Sequence, residues 1–543
     1  MRVIHLPLFC NETVQCHTKE LFFLRLFFCY LYPMKKLLTI IALLGACVAG
    51  TAQIKLSVHE SATGEPEIPA EIFGQFSEHL GRCIYEGIWV GPDSSIPNVN
   101  GYRTDVLEAF KALKVPVLRW PGGCFADEYH WMDGIGPKEN RPKLVNNNWG
   151  GTVEDNSFGT HEFLNLCEML GIEPYISANV GSGTVEEMAK WVEYMTAPNG
   201  SMAELRAKNG RKEPWKVKYL GVGNETWGCG GDMTAQYYSD VYKRYALYAR
   251  NYGGNQIFKV ACGASGGDYD WTRTMMKNAR RQMDGLSVHF YSVEVWDQKG
   301  SATVFAPEEY YNILAKTVEI DEILRNHIAI MDAYDPENRV ALLLDEWGTW
   351  YDVEPGHNPG HLFQQNTMRD AIVAALNINI FTKYVQRLKM ANIAQIVNVL
   401  QAMVLTKGPE MVLTPTYHVF RMFSVHQNAT RVPVEYNAGT LVSQTGRVME
   451  NFSAASSRDA SGTIHVTLTN PLLDKPVTVE LSFDSLKPKT VTGEVLKAAK
   501  VNAYNDFGKA PAVAPAALKD IKKSGGVWKV TLPAASVAVL EIR

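Results

Sequence analysis

A chain of 543 residues exceeds the usual size of one domain, so a large domain with a smaller companion is the starting expectation. Its formal charge of −4, with 20% charged and 46% apolar residues, is ordinary for a globular protein and offers nothing to nucleic acid or an anionic membrane. The nine cysteines include no Cys-x-x-Cys pair, which argues against a zinc knuckle and a disulfide scaffold.

Residues 1–33 mix Phe-Leu runs with cysteines and show no pattern. From Met34 the chain reads Met-Lys-Lys, then an apolar run of about ten residues, then small residues as far as Ala52, the form of a bacterial export signal. Residues 1–52 are therefore expected to be an over-extended start plus a signal peptide, with translation from Met34 and a mature start at Gln53. The protein is then periplasmic or extracellular. A second reading takes Leu44-Gly45-Ala46-Cys47 as a lipoprotein site with Cys47 acylated. Past residue 52 no apolar run is long enough to span a bilayer. The cysteines left there, Cys83, Cys124, Cys167, Cys229 and Cys262, are widely spaced and odd in number.

Residues 53–70 carry a surface-type strand at 54–58 and a linker, expected to join a later β-sandwich. From residue 71 a rhythm of strand, polar loop and amphipathic helix begins. Strands are predicted at 72–76, 115–119, 173–180, 219–222, 257–262, 286–291, 340–346 and 393–400. Helices are predicted between them, for example over 160–170, closed by Gly171. Eight such repeats, without a Gly-rich phosphate loop after the first strand, predict a (β/α)8 TIM barrel over 71–414 rather than a doubly wound sheet. From 415 to 543 short alternating strands predict a C-terminal, jelly-roll-like β-sandwich.

In such a barrel the residues at the C-terminal strand ends share one mouth. The strand reading Tyr219-Leu220-Gly221-Val222 ends in Gly223-Asn224-Glu225-Thr226-Trp227, and Leu342-Leu343-Leu344 runs into Asp345-Glu346-Trp347. Alone, an Asn-Glu or Asp-Glu pair reads as a solvated turn. Two of them on opposite sides of a barrel mouth, each followed by Trp, point to the paired carboxylates of a glycosidase. The other strand ends offer Glu78, Arg119, His289, Tyr291 and Gln401. His161-Glu162 resembles the start of a zincin helix, but Asn165 stands where the second His belongs, so no metal is expected. Asp127, Glu128 and His130 read as a polar loop.

Several longer motifs carry a resemblance. Gln75-Phe76-Ser77-Glu78-His79-Leu80-Gly81-Arg82, Leu118-Arg119-Trp120-Pro121-Gly122-Gly123, Asn156-Ser157-Phe158-Gly159-Thr160-His161-Glu162, Val222-Gly223-Asn224-Glu225-Thr226-Trp227 and Asp345-Glu346-Trp347 resemble the signatures of glycoside hydrolase family 51, the α-L-arabinofuranosidases. The resemblance runs from about residue 54 to the C-terminus. It implies a retaining exo-acting hydrolase without cofactor that takes terminal arabinofuranose from arabinoxylan, arabinan or their oligosaccharides. It also implies a homo-hexamer.

By the same resemblance Glu225 is the acid/base and Glu346 the nucleophile. Asn224 then binds the sugar 2-hydroxyl, while Glu78 and Gln401 bind other hydroxyls. Arg119 and Tyr291 keep Glu346 ionised and aimed, and His289, two residues before Tyr291, shares its strand face. Cys124 stands where Asn is commoner, and its thiol would be a weak donor or plain packing. The alternatives are another activity of this fold, a xylosidase or endo-β-glucanase, and a glycan-binding protein without catalysis.

Overall fold

The computed structural model describes residues 52–543. Eight parallel strands close into a barrel: β1 (Gly74–Phe76), β2 (Val117–Trp120), β3 (Glu173–Ala178), β4 (Tyr219–Val222), β5 (Phe258–Ser265), β6 (Gly285–Ser292), β7 (Ala341–Thr349) and β8 (Leu388–Ala394), with β8 pairing back to β1. They are buried on both faces, which is why they read as apolar runs and not as alternating ones. One layer inside the barrel is filled by Val117, Tyr175, Tyr219, Val260, Leu343 and Met390. Gly221 has no side chain because the Tyr175 ring occupies that space; a Cβ there would sit 2.9 Å from it.

The helices are set by local signals. Thr184 and Thr234 cap their helices by accepting from the backbone N–H groups of Glu187 and Tyr237. Gly171, at φ 69°, ends the helix Thr160–Leu170. Pro307 opens the 28-residue helix Pro307–Tyr334. The helix Met368–Phe381 is buried on every side, because the barrel covers one face and the C-terminal strands the other. Its Asn379 marks that junction, donating to Ser453 Oγ at 3.2 Å and accepting from Thr467 Oγ1 at 2.8 Å. The helix Pro415–Phe423 follows the barrel and still packs on it, Phe420 meeting Phe73 and Trp347.

The C-terminal domain packs a five-stranded sheet and a six-stranded sheet around a separate apolar core. The strand Ala52–Val58 lies within the first of these, parallel to Val477–Phe483 and antiparallel to Val434–Tyr436. Ala52, where leader cleavage was expected, already pairs with Val477. The predicted translation start and the acylated Cys47 lie outside the described residues.

The predicted positions of the strands hold to within a few residues except at the last one. β8 ends at Ala394, not near residue 400. Lys389 and Asn392 interrupt its apolar pattern, whereas the run that follows, Ile396 to Leu400, is the more apolar and mimics a strand. The difference matters for the site, because it changes which residue stands at the strand end.

Candidate active site

Arg119 on β2 is the hub. It is 2% exposed, and its guanidinium donates to Glu346 Oε1 at 2.8 Å, to Asn224 Oδ1 at 2.6 Å and to Ser177 Oγ at 3.2 Å. It also lies 4.5 Å from the centroid of the Phe76 ring. Tyr291 on β6 donates to the second oxygen of Glu346 at 2.7 Å. His289, two residues earlier on the same strand face, places Nδ1 3.0 Å from Glu225 Oε1 and 3.6 Å from Glu346 Oε2. Glu225 and Glu346 thus bring carboxylate oxygens within 4.8 Å of one another.

The electrostatics separate the groups around Glu346. Burial opposes its ionisation, but His289, Arg119 and the bonds from Arg119 and Tyr291 outweigh burial and hold its carboxyl below the usual range. Burial would also strip the proton from His289, yet the carboxylates of Glu346 and Glu225 leave its pKa above the ordinary histidine range. A cation between Glu225, His289 and Glu346 would have to share that space with a guanidinium bonded to one of the carboxylates.

Glu78, two residues past β1, sits in a second cradle. It accepts from Phe125 N at 3.1 Å, Trp149 Nε1 at 2.8 Å and Gln395 Nε2 at 2.8 Å. Gly122 and Gly123 let the β2 loop pass close by: a Cβ at Gly122 would fall 2.7 Å from Glu78 Cγ, and one at Gly123 3.0 Å from Glu346 Oε1. Burial, and then repulsion from Glu346, push the Glu78 carboxyl up to about 7 against the pull of its three donors.

A carboxyl whose pKa rises on folding holds its proton more tightly in the native state. Glu78 therefore stabilises the fold fully below about pH 4.5, and that contribution is lost as pH climbs through 7. Glu78→Gln, which cannot titrate, is expected to flatten the fall in Tm between those limits, a difference on the order of 3 kcal/mol. Parallel Tm profiles for both proteins would contradict it.

Of the residues expected at the mouth, Glu78, Arg119, Asn224, Glu225, His289, Tyr291 and Glu346 are brought together. Gln401 is not among them. It is fully buried, its amide donates to Asp370 O at 2.8 Å, and its oxygen accepts from Thr349 N at 2.9 Å. The residue that follows β8 is Gln395, and it is the glutamine that reaches Glu78. Cys124 is not a free thiol: it forms a disulfide with Cys229. That corrects the expectation of a thiol at position 124, while Cys83, Cys167 and Cys262 are free.

Trp149 and Cys229 were missed outright, although Cys229 stands four residues past Glu225. Asp127, read as part of a polar loop, accepts backbone N–H groups from Val180, Gly181 and Asn224 at 2.8, 2.9 and 3.1 Å. It ties the β2, β3 and β4 loops together. Glu225 itself has φ 40°, a conformation that costs an L-residue about 1–3 kcal/mol and must be held by its surroundings.

Outward from Glu225 a cleft of about 560 Å³ opens between Trp227, Trp296 and Trp350. A larger hollow, about 720 Å³, lies between the helices Val185–Thr196 and Ala235–Tyr248 and includes none of the paired groups.

An eightfold barrel that presents two carboxylates at hydrolytic distance over a walled cleft is the arrangement of a glycoside hydrolase. Two family models match: the alpha-L-arabinofuranosidase 1 domain over residues 109–299 and the alpha-L-arabinofuranosidase C-terminal domain over 345–536. The chain is 57% identical to an intracellular exo-alpha-L-arabinofuranosidase of Bacteroides ovatus, covering 94% of this chain and 99% of that one. It is 33% identical to a probable alpha-L-arabinofuranosidase C of Aspergillus niger over 83% of this chain and 92% of the relative.

Among solved structures, the family 51 arabinofuranosidase of Xanthomonas axonopodis pv. citri superposes with a TM-score of 0.89 at 45% identity, covering 90% of this chain and all of that one. An arabinose complex of the Thermotoga maritima enzyme gives 0.78 at 30% identity, over 90% and 99%. The chain belongs to glycoside hydrolase family 51, the α-L-arabinofuranosidases. The expected export and lipid anchoring are overturned by the Bacteroides ovatus relative, which is named intracellular.

Proposed function

We propose that the protein is a retaining, exo-acting α-L-arabinofuranosidase with Glu346 as nucleophile and Glu225 as acid/base. The observation that carries this is the approach of the two carboxylates to within 4.8 Å. An inverting enzyme needs roughly 6.5–9.5 Å to seat a water, whereas a retaining one works at roughly 5–5.5 Å. A Glu346 oxygen attacks the anomeric carbon while the bond to the leaving oxygen breaks and takes the proton of Glu225. Glu225 then removes a proton from water, the water attacks the same carbon, and Glu346 is released.

Arg119 and Tyr291 keep the nucleophile charged and fix its rotamer. Because Arg119 occupies Asn224 Oδ1, the amide nitrogen of Asn224 is left to donate to the sugar 2-hydroxyl. Glu78 and Gln395 offer a carboxylate and an amide to the remaining hydroxyls. The three tryptophans flank the side by which the leaving group departs, and their faces suit the sugar rings of arabinoxylan, arabinan or their oligosaccharides. The enzyme is read as working inside the cell, as the name of its Bacteroides ovatus relative has it.

The test is stereochemical. Hydrolysis in the presence of methanol, followed by proton NMR, is expected to give methyl α-L-arabinofuranoside first. A β-configured product would remove the double displacement.

A further inference from the structure

Cys124 and Cys229 are 105 residues apart in sequence, yet their Cα atoms lie 5.5 Å apart across the mouth of the barrel. Each end of the bridge adjoins a reacting group. Cys229 Sγ is 3.7 Å from Glu225 Oε2 and 3.9 Å from Asn224 Nδ2. Cys124 follows Gly123, on which a Cβ would fall 3.0 Å from Glu346 Oε1.

The loop that carries Glu225 is a tight turn. Gly228 N and Gly230 N donate to Glu225 O, and Met233 N donates to Thr226 O. Glu225 within it holds a left-handed backbone. Asp127 and the Trp227 indole, which donates to Gly263 O, secure the start of this loop. Past Gly228, the disulfide is the link from the loop to the β2 loop beside the nucleophile.

The bridge is also open to chemistry in a way the other thiols are not. Cys229 is exposed, whereas Cys83, Cys167 and Cys262 are buried. Burial pushes the thiols of Cys83 and Cys262 up to about 12, so they are inert at neutral pH.

We propose that the Cys124–Cys229 disulfide is a redox-responsive clamp that positions Glu225 for proton transfer, and that a dithiol reductant releases it and lowers activity toward natural linkages. This rests on the reading of Glu225 as acid/base. A thiolate of the reductant attacks the exposed Cys229 sulfur, forming a mixed disulfide and expelling Cys124 as thiolate, which takes up a proton. The second thiol of the reductant then displaces Cys229. The dithiol ends as a disulfide and the protein gains two electrons and two protons, held as two thiols.

The experiment titrates the full-length protein with dithiothreitol under native conditions. Thiols at 124 and 229 are counted by alkylation and mass spectrometry. The constants kcat and KM are measured on 4-nitrophenyl α-L-arabinofuranoside and on an arabino-oligosaccharide. The expected result is two new thiols, a fall of about tenfold or more in kcat/KM on the oligosaccharide, a much smaller fall in kcat/KM on the aryl glycoside, and recovery on reoxidation. The aryl leaving group needs little acid, so this split reports proton transfer, which general loosening would not produce.

Cys124→Ser/Cys229→Ser is expected to match the reduced enzyme and ignore dithiothreitol; the wild-type titration stands if that variant does not fold. A bond that resists reduction, equal losses on both substrates, or full activity with both thiols free would each overturn the proposal. Glu225→Ala assayed alongside keeps the two readings apart. If it shows no leaving-group dependence, the acid/base assignment fails whatever the redox result.

Discussion

Glu346→Ala is expected to abolish turnover, with kcat falling by at least ~10⁴-fold on every arabinofuranoside, a loss of about 5.5 kcal/mol of transition-state stabilisation. Removing the nucleophile leaves no route to the covalent intermediate: His289, beside Glu346 on the neighbouring strand, has its Nδ1 3.0 Å from Glu225 Oε1, and Glu225 is needed for proton transfer. The alanine also strands the buried Arg119 charge, which keeps its bonds to Asn224 and Ser177 but loses its carboxylate. Glu346→Gln is the better control for folding, because it preserves shape and one acceptor oxygen. A folded Glu346→Gln enzyme with more than a percent of wild-type kcat would refute the assignment of the nucleophile. Steady-state assays and a thermal melt on both variants decide it.

Glu225→Ala is expected to discriminate between substrates. General acid catalysis is worth about 10²–10⁴-fold, and that loss should appear in full on oligosaccharides, whose leaving alkoxide needs a proton. On 4-nitrophenyl α-L-arabinofuranoside the first step should be nearly spared and the second slowed, so the arabinosyl-enzyme accumulates and a burst of nitrophenol precedes a slow steady rate. Azide, which needs no general base, should then raise turnover and yield the α-configured azide, with configuration retained. Comparable losses on both substrates, with no burst and no rescue by azide, would assign the proton transfer to another group.

How much of this was visible in the sequence depends on where each residue sits. Glu225 and Glu346 were legible because strands buried on both faces are apolar runs, and a carboxylate at the end of such a run has one place to go in a barrel. Arg119, His289 and Tyr291 followed by the same logic of strand ends and alternate faces. Gln395 was not legible. β8 carries Lys389 and Asn392 in its interior, and the more apolar stretch after Ala394 is a buried excursion that mimics a strand. A misplaced strand end moved the candidate glutamine by six positions, from a residue that grips Glu78 to one that braces Asp370 and Thr349.

Trp149 lies in a loop with no periodicity, so nothing local announces that its indole reaches Glu78. The disulfide was hidden for a different reason. Pairing among five scattered cysteines cannot be deduced from spacing. The usable signal was position: Cys124 directly follows one motif assigned to the mouth, and Cys229 stands two residues past another. Asp127 shows the same limit: its three backbone donors come from two other loops, and only the assembled barrel reveals it as a tie.

The placement of the strand Ala52–Val58 bears on how the molecule is made. Its partner Val477–Phe483 emerges from the ribosome more than 400 residues later, after the whole barrel. Ile54, Leu56 and Val58, all destined for the core, must wait unpaired through nearly the entire time of synthesis. A nascent chain stalled before residue 434 therefore carries this apolar strand with neither of its partners, an aggregation-prone edge for as long as the pause lasts.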